Sequence, residues 1–256
     1  MMAASELETT QLGQHERPTL VLLHGAGMGR WMWQPQLESL AAYFHVLAPD
    51  LPGCAGSVAS GPFTLKGATA AVADLIRARS HGPAHLVGLS LGAMVAVQLC
   101  QYAPELVASL VLSGGQVHPN PLVMALQEGI ITCMPERMVT DPVPASFARR
   151  YPELVEVARS DARRMGKHGL LAVLRAAGHA DHRKILPTIA VPTLVLCGGK
   201  DRVNLPAARQ LAAGIPGAEL RVVPGAGHVW NLEQPEVYTR TVIEFVHAVN
   251  GPVRMR

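Results

Sequence analysis

Six short apolar runs, rich in valine and leucine and separated by segments with helical patterning, constrain the fold of this chain more than any other feature. They lie at residues 20–23, 46–48, 85–87, 110–112, 194–196 and 220–223. Such runs are typical of strands buried on both faces, and their alternation with helices predicts a parallel sheet covered by helices on both sides. Most of the runs are followed by glycine, proline or aspartate, so we expect the loops at the carboxyl ends of the strands to begin there. Sites of open α/β sheets collect at that edge.

The strand pattern stops between Gly115 and Pro187. This segment predicts several helices, separated at residues 119–121, at Pro135, at residues 141–144 and at Gly166. We therefore predict one α/β core formed by residues 1–115 and 187–256, with a small helical cap inserted at residues 116–186. A chain of 256 residues that is 49% hydrophobic is long enough to bury one such core.

Composition argues against several classes of protein. The net charge is only +3, so nucleic-acid binding has little electrostatic support. No apolar run approaches the ~20 residues that a membrane helix needs, and the first 18 residues lack the basic start and apolar core of a signal peptide. We expect a cytoplasmic protein that binds neither membranes nor nucleic acid. The four cysteines are widely spaced and predict neither disulfides nor a zinc site, and no metal or cofactor is expected.

The excess positive charge lies in the predicted cap, where ten Lys or Arg residues face seven Asp or Glu residues. The simplest interpretation is a solvated helical surface. An alternative is that basic side chains attract an acidic substrate or an acidic carrier protein. The candidates for that role are Arg159, Arg163, Arg164 and Lys167.

Residues 88–92, with the sequence Gly-Leu-Ser-Leu-Gly, lie between the third apolar run and a helix-like run at residues 93–100. The bare pattern is weak evidence, but this position between a strand and a helix is typical of a nucleophile elbow, in which a strained turn exposes the serine hydroxyl. The structural alternative is that Ser90 only caps the helix. A catalytic serine needs a base, and the base needs an orienting carboxylate.

Two later loops supply candidates for these partners. Asp201 follows the fifth apolar run and His228 follows the sixth, and the order Ser, Asp, His along the chain is the order expected after such an elbow. Asp50, which opens a turn, and Asp181, in the predicted cap, compete with Asp201. The histidines that compete with His228 are His24, His118, His179 and His182.

The chain resembles the α/β-hydrolase superfamily over nearly its whole length. Residues 24–27, His-Gly-Ala-Gly, resemble the oxyanion loop of that family, and residues 88–92 resemble its elbow. Residues 50–57 resemble its Asp-x-Pro-Gly-x-Gly-x-Ser loop, although Ala55 stands where glycine is usual. Residues 199–201 and 227–235 resemble the loops that carry its acid and its histidine.

The resemblance implies a role for each matched residue. Ser90 would be the nucleophile, His228 the general base and then acid, and Asp201 the carboxylate that orients the imidazole. The oxyanion hole would be formed by the backbone N–H groups of Ala26 and Leu91. The residues expected in the substrate pocket are Met28, Trp31, Val229 and Trp230.

The expected reaction is hydrolysis of a carboxylic ester of a small or medium substrate through an acyl-enzyme. Relatives of similar length and motif spelling include carboxylesterases, pimeloyl-carrier methyl-ester esterases and enol-lactonases. Lactone hydrolysis and carbon–carbon bond hydrolysis use the same three residues and remain alternatives. A further alternative, from a different class, is a non-catalytic binding protein on a hydrolase scaffold.

Overall fold

The computed structural model describes residues 7–141, 143 and 145–251, and its centre is a seven-stranded sheet. The strands are β1 (Thr9–Leu12), β2 (Thr19–Leu23), β3 (His45–Pro49), β4 (Ala84–Leu89), β5 (Val107–Ser113), β6 (Thr193–Gly198) and β7 (Glu219–Val223). Their order across the sheet is β1-β3-β2-β4-β5-β6-β7, and every pair is parallel except β1 with β3. All six apolar runs are strands, which confirms the predicted fold class.

Strand β1 is absent from the sequence prediction, and its position explains why. It is the edge strand, paired on one side only, and its residues are half-buried or exposed. Because it packs little surface against the core, its sequence, Thr-Thr-Gln-Leu, carries no apolar run.

Ten helices surround the sheet in the described part of the chain. They are α1 (Gln34–Ala41), α2 (Leu65–Arg79), α3 (Leu91–Tyr102), α4 (Pro121–Cys133), α5 (Glu136–Thr140), α6 (Ala145–Arg150), α7 (Val155–Gly178), α8 (Leu205–Gly214), α9 (Trp230–Glu233) and α10 (Pro235–Asn250). Helices α2, α3 and α8 cover one face of the sheet, and α1, α9 and α10 cover the other. Strand β5 shows the double burial directly, since Leu110 and Leu112 pack on the first face and Val111 packs on the second.

Helices α4 to α7, here called the inserted helices, lie between β5 and β6. Among the described residues from 114 to 192 there is no strand, as the sequence predicts. Gly166 interrupts α7 with a positive φ of 61°, and Glu136 Oε1 accepts from the N–H of Lys167 at 3.0 Å, which caps the second half of α7. Residues 1–6, residues 252–256, Pro142 and Pro144, on which parts of the sequence predictions fall, lie outside the described residues.

Among the described residues, no helix combines sufficient length with sufficient apolar character to cross a bilayer. In the same part of the chain all four cysteines are free thiols, Cys54 and Cys197 being buried.

Candidate active site

Ser90 occupies the turn between β4 and α3 in a backbone conformation that residues other than glycine rarely adopt. Its φ is 55° and its ψ is −108°, and its N–H donates to the carbonyl of Ser113 at 2.7 Å. The turn requires both flanking glycines. A Cβ on Gly88 would lie 2.5 Å from the backbone of Gly92, and a Cβ on Gly92 would lie 2.1 Å from the carbonyl oxygen of Leu23. The hydroxyl of Ser90 does not cap α3, so helix capping does not explain this serine.

Asp201 and His228 meet at the carboxyl ends of β6 and β7. His228 Nδ1 lies 2.7 Å from Asp201 Oδ2, and the carboxylate is largely buried. Since a carboxylate only accepts, Nδ1 carries the proton and donates it to Asp201, which leaves Nε2 as the basic nitrogen. Ser90 and His228 line the same cavity. The arrangement can therefore bring a hydroxyl and an oriented imidazole to one substrate.

The two loops that carry Asp201 and His228 are held together by their backbones. The N–H of Gly199 donates to Val223, and the N–H of Lys200 donates to Ala226, each at 2.8 Å. A Cβ on Gly198 would lie 2.1 Å from the carbonyl oxygen of Gly227, so only glycine permits this approach. The distance between Asp201 and His228 is thus set by main-chain contacts.

The competing acids have other partners. Asp50 is fully buried, accepts from the backbone and guanidinium of Arg30 and from the N–H of Gly56, and so ties two loops together. Asp181 is exposed and pairs with Arg183 at 2.6 Å.

Two of the four competing histidines, His24 and His182, have structural roles. His24 Nε2 accepts from the N–H of Leu51 at 2.9 Å, Nδ1 lies 2.9 Å from the carbonyl of Gly25, and burial lowers the pKa of this imidazole. His182 is fully buried, and its Nδ1 faces the carbonyl of Gln116 at 3.4 Å. Both therefore support the fold around the cavity rather than facing a substrate.

A cavity of about 1010 Å³ separates the sheet edge from the inserted helices. Three of the four residues expected in the pocket line it, namely Met28, Trp31 and Val229, and so do Ala26 and Leu91. The rest of the wall is mainly apolar side chains of the inserted helices. In the described residues, no three His, Cys, Asp or Glu side chains are grouped so that they could hold a metal ion.

Trp230, also expected in the pocket, lies instead in the core. It is fully buried, its Nε1 donates to Ser113 Oγ at 3.0 Å, and its ring packs on Tyr238 with 4.5 Å between centroids. Trp230 is the first residue of α9, and its side chain packs in the layer between α10 and the sheet. The indole supports the strand end that holds the backbone of Ser90.

Sequence reasoning missed several residues of the site. Asn204 Nδ2 lies 2.8 and 2.9 Å from the two carboxylate oxygens of Asp201, and Asn204 Oδ1 lies 2.5 Å from Gln116 Nε2. Glu233 Oε2 accepts from the N–H of Gly227 at 2.7 Å. Only the spacing of Asn204, three residues after Asp201, could have pointed to it.

The four basic side chains proposed to attract an acidic partner all have partners within the inserted segment. Arg159 pairs with Asp141 at 2.7 Å, Arg163 with Glu156 at 2.5 Å and Arg164 with Asp161 at 3.8 Å. Lys167 Nζ donates to the carbonyls of Thr132 and Met134. These local partners favour the interpretation as a solvated helical surface over that of a docking surface for an acidic carrier.

In sequence and in fold, the chain is similar to known hydrolases. A family model described as the alpha/beta hydrolase family matches residues 20–241. RutD of Serratia proteamaculans, which bears the name of a carbamate hydrolase, is 30% identical over 88% of this chain and 90% of its own length. A pimeloyl-[acyl-carrier protein] methyl ester esterase of Aromatoleum aromaticum is 31% identical over 86% of this chain and 94% of its own. The solved enol-lactonase from Burkholderia xenovorans LB400 superposes with a TM-score of 0.81 at 27% identity, covering 94% of this chain and 96% of that one.

Proposed function

Because the chain belongs to the alpha/beta hydrolase family, we propose that it is a serine hydrolase with Ser90 as nucleophile, His228 as general base and Asp201 as the orienting acid. One observation carries the proposal. An imidazole fixed by a buried carboxylate at 2.7 Å lines the same cavity as a serine held in a strained turn. Backbone strain of this kind is typical of nucleophilic serines, because the sharp turn projects the hydroxyl out of the backbone, where a substrate can reach it.

The proposed reaction follows from these positions. His228 Nε2 takes the proton of Ser90 Oγ as that oxygen bonds to the acyl carbon, and Asp201 stabilises the imidazolium. The imidazolium then gives its proton to the leaving alcohol, which breaks the ester bond and leaves an acyl-enzyme. Water, deprotonated by the same imidazole, attacks that acyl group, and the carboxylic acid and the free serine result.

The oxyanion of each tetrahedral intermediate would be bound by the backbone N–H groups of Leu91 and Ala26. Support comes from their position, since both residues line the cavity beside Ser90. Leu91 also begins α3, whose positive dipole end faces the developing charge. One such donor is typically worth about 3 kcal/mol of transition-state stabilisation.

We further propose that residues 116–186 act as the cap that shapes the substrate site. The cavity wall opposite Ser90 comes from this segment and is largely apolar, which favours the acyl ester of a small or medium substrate. The names of the relatives include carbamate, methyl ester and enol-lactone substrates, which all present an acyl carbon to a nucleophile. A carrier-bound substrate is less favoured, because Arg159, Arg163 and Lys167 already have partners within the segment.

A fluorophosphonate probe tests the proposal, because it reacts with a serine only when that serine is activated. We expect the wild-type protein to be labelled and the Ser90→Ala variant to be unlabelled, with hydrolysis of p-nitrophenyl butyrate reduced about 10⁴-fold or more. Ser146 is a matched control, since it is an exposed serine that lines the same cavity. Ser146→Ala should be labelled like wild type.

Two outcomes would overturn the proposal. One is a folded wild-type protein that does not react with the probe, which would favour the non-catalytic binding protein. The other is equal labelling of wild type and Ser90→Ala, which would place the reactive serine elsewhere.

A further inference from the structure

Asn204 directs its side chain at Asp201 instead of at its own helix. It is the residue before α8, a position where asparagine usually accepts from the N–H groups of the first helical turn. Here the side chain makes no capping hydrogen bond. Nδ2 lies 2.8 Å from Asp201 Oδ1 and 2.9 Å from Oδ2, so helix capping does not account for this residue.

Asp201 and Gln116, the first residue of the predicted cap, together set which way the amide of Asn204 faces. Because a carboxylate only accepts, Nδ2 faces Asp201, and Asn204 Oδ1 accepts from Gln116 Nε2 at 2.5 Å. A flipped amide would set its oxygen against the carboxylate and its NH₂ group against that of Gln116. The backbone around Gln116 is held in turn by His182, whose N–H donates to Val117 at 2.9 Å.

The proton of His228 decides where the two hydrogens of Asn204 go. Asn204 Nδ2 lies 3.1 Å from His228 Nδ1, but Nδ1 already donates its hydrogen to Asp201 Oδ2 and cannot accept another. The amide NH₂ group of Asn204 therefore donates to the carboxylate of Asp201 and not to the ring nitrogen of His228. Charge-assisted hydrogen bonds of this kind are directional, and they keep Oδ2 aimed at the imidazole.

We propose that Asn204 is a positioning residue that holds the Asp201 carboxylate against His228, and that Gln116 sets the orientation of its amide. This inference rests on the proposed serine hydrolase function. It adds a physical link between the first residue of the inserted segment and the acid, through side chains 88 positions apart. The competing interpretation is that Asn204 only fills space beside Asp201.

Two substitutions of Asn204 distinguish hydrogen-bond donation to Asp201 from simple filling of space beside it. Asn204→Ala removes the donors and the volume, whereas Asn204→Asp keeps the volume and turns an acceptor toward Asp201. At pH 8 we expect fluorophosphonate labelling to slow by about tenfold in the Ala variant and by more in the Asp variant, since hydrogen bonds to charged groups are lost or reversed. Space filling predicts the opposite order. Arg209→Ala, an exposed substitution on α8, is the control and should label like wild type.

A measurement that does not need activity keeps this inference distinct from the proposed function. The hydrogen on His228 Nδ1 should give a downfield proton NMR signal, which moves or broadens in both Asn204 variants and stays in Arg209→Ala. Gln116→Leu, which leaves the contact with Asp201 in place but frees the amide to flip, should change the signal in the same direction by less. If the wild type shows the signal but no labelling, the proposed function fails while the positioning role stands. An unchanged signal in Asn204→Asp, or a milder loss of labelling in Asp than in Ala, would overturn the role of Asn204.

Discussion

At the scale of single residues, the position of the His228 ring depends on a glycine as well as on Asp201. Gly114 follows β5 with a φ of +60°, and a Cβ there would lie 2.8 Å from His228 Cε1 and 2.9 Å from Nδ1. Contacts this short force one partner to move. The imidazole therefore packs directly on backbone, and the absence of a side chain at Gly114 leaves room for it.

Gly114→Ala should displace the imidazole and slow the reaction. The added methyl group meets the ring, and the positive φ also strains an alanine, so we expect fluorophosphonate labelling to fall by about a hundredfold, the cost typical of a small misplacement of a catalytic group. Gly129→Ala is the control, because a Cβ at Gly129 has no atom within 4 Å. Thermal unfolding of both variants checks that they fold. Unchanged labelling in folded Gly114→Ala would contradict this account of the ring.

At the scale of elements, α7 meets the sheet loops through two neighbouring carboxylates. A Cβ on Gly29 would lie 3.0 Å from both Asp161 Oδ2 and Asp50 Oδ1, which shows how close the two acids come. Arg30 is paired with Asp50, while Arg164 lies 3.8 Å from Asp161. Burial, and next the charge of Asp50, raise the pKa of Asp161. The contact between α7 and the core is therefore less favourable when Asp161 is ionised.

Asp161→Asn should stabilise the protein at neutral pH. An acid whose pKa is raised by folding contributes most when it is protonated, and that contribution is lost as the pH rises through its titration in the folded state. We expect Asp161→Asn to raise the Tm by about 2 °C at pH 8 and by less at pH 4. The expected gain is small because the side chain is partly exposed and solvent screens its charge.

Scanning calorimetry between pH 4 and 8 measures this difference. Asp74→Asn is the control, since Asp74 is an exposed acid paired with Arg77 at 3.2 Å, and it should shift the Tm little. A lower Tm of Asp161→Asn at pH 8 would mean that the attraction of Asp161 to Arg164 outweighs its repulsion by Asp50.

At the scale of the whole molecule, the cavity exists only because the inserted helices lie over the sheet edge. Helix α4 shows how the sequence of one element serves two environments. Ile131 faces the cavity, whereas Ile130, its neighbour, is 55% exposed to solvent. A large apolar chamber next to Ser90 favours substrates with an apolar acyl group that can leave water on binding.

The cavity predicts a preference for longer acyl chains. Across p-nitrophenyl esters from acetate to octanoate, kcat/KM should rise by about two- to fourfold per methylene, as each buried CH₂ contributes up to about 0.8 kcal/mol. Ile131→Trp should shift the preference to shorter chains by narrowing the cavity, and Ile130→Trp, on the solvent side, should not. A flat profile, or acetate as the best substrate, would contradict the assignment of the cavity to the acyl group.

Several elements of this protein could be predicted from local patterns in its sequence. Local sequence predicted the six buried strands, the helices of the inserted segment and the elbow around Ser90. Each of these depends on a burial pattern, or on a turn that requires glycine, within a few neighbouring residues. The position of Ser90, Asp201 and His228 at one edge of the sheet could be predicted, because parallel strands bring their carboxyl ends to that edge. The polar edge strand β1 could not, since pairing with β3, rather than an apolar pattern, makes it a strand.

Which side chains face the cavity depends on the packing of the whole chain and could not be predicted from local patterns. Val229 lines it, while Trp230, the next residue, turns into the core toward Ser113, and no sequence pattern distinguishes the two. The link from Gln116 through Asn204 to Asp201 likewise joins residues far apart in the chain. Such contacts depend on how the inserted helices pack on the sheet, and packing directions are set by the summed contacts of many residues rather than by any local stretch of sequence.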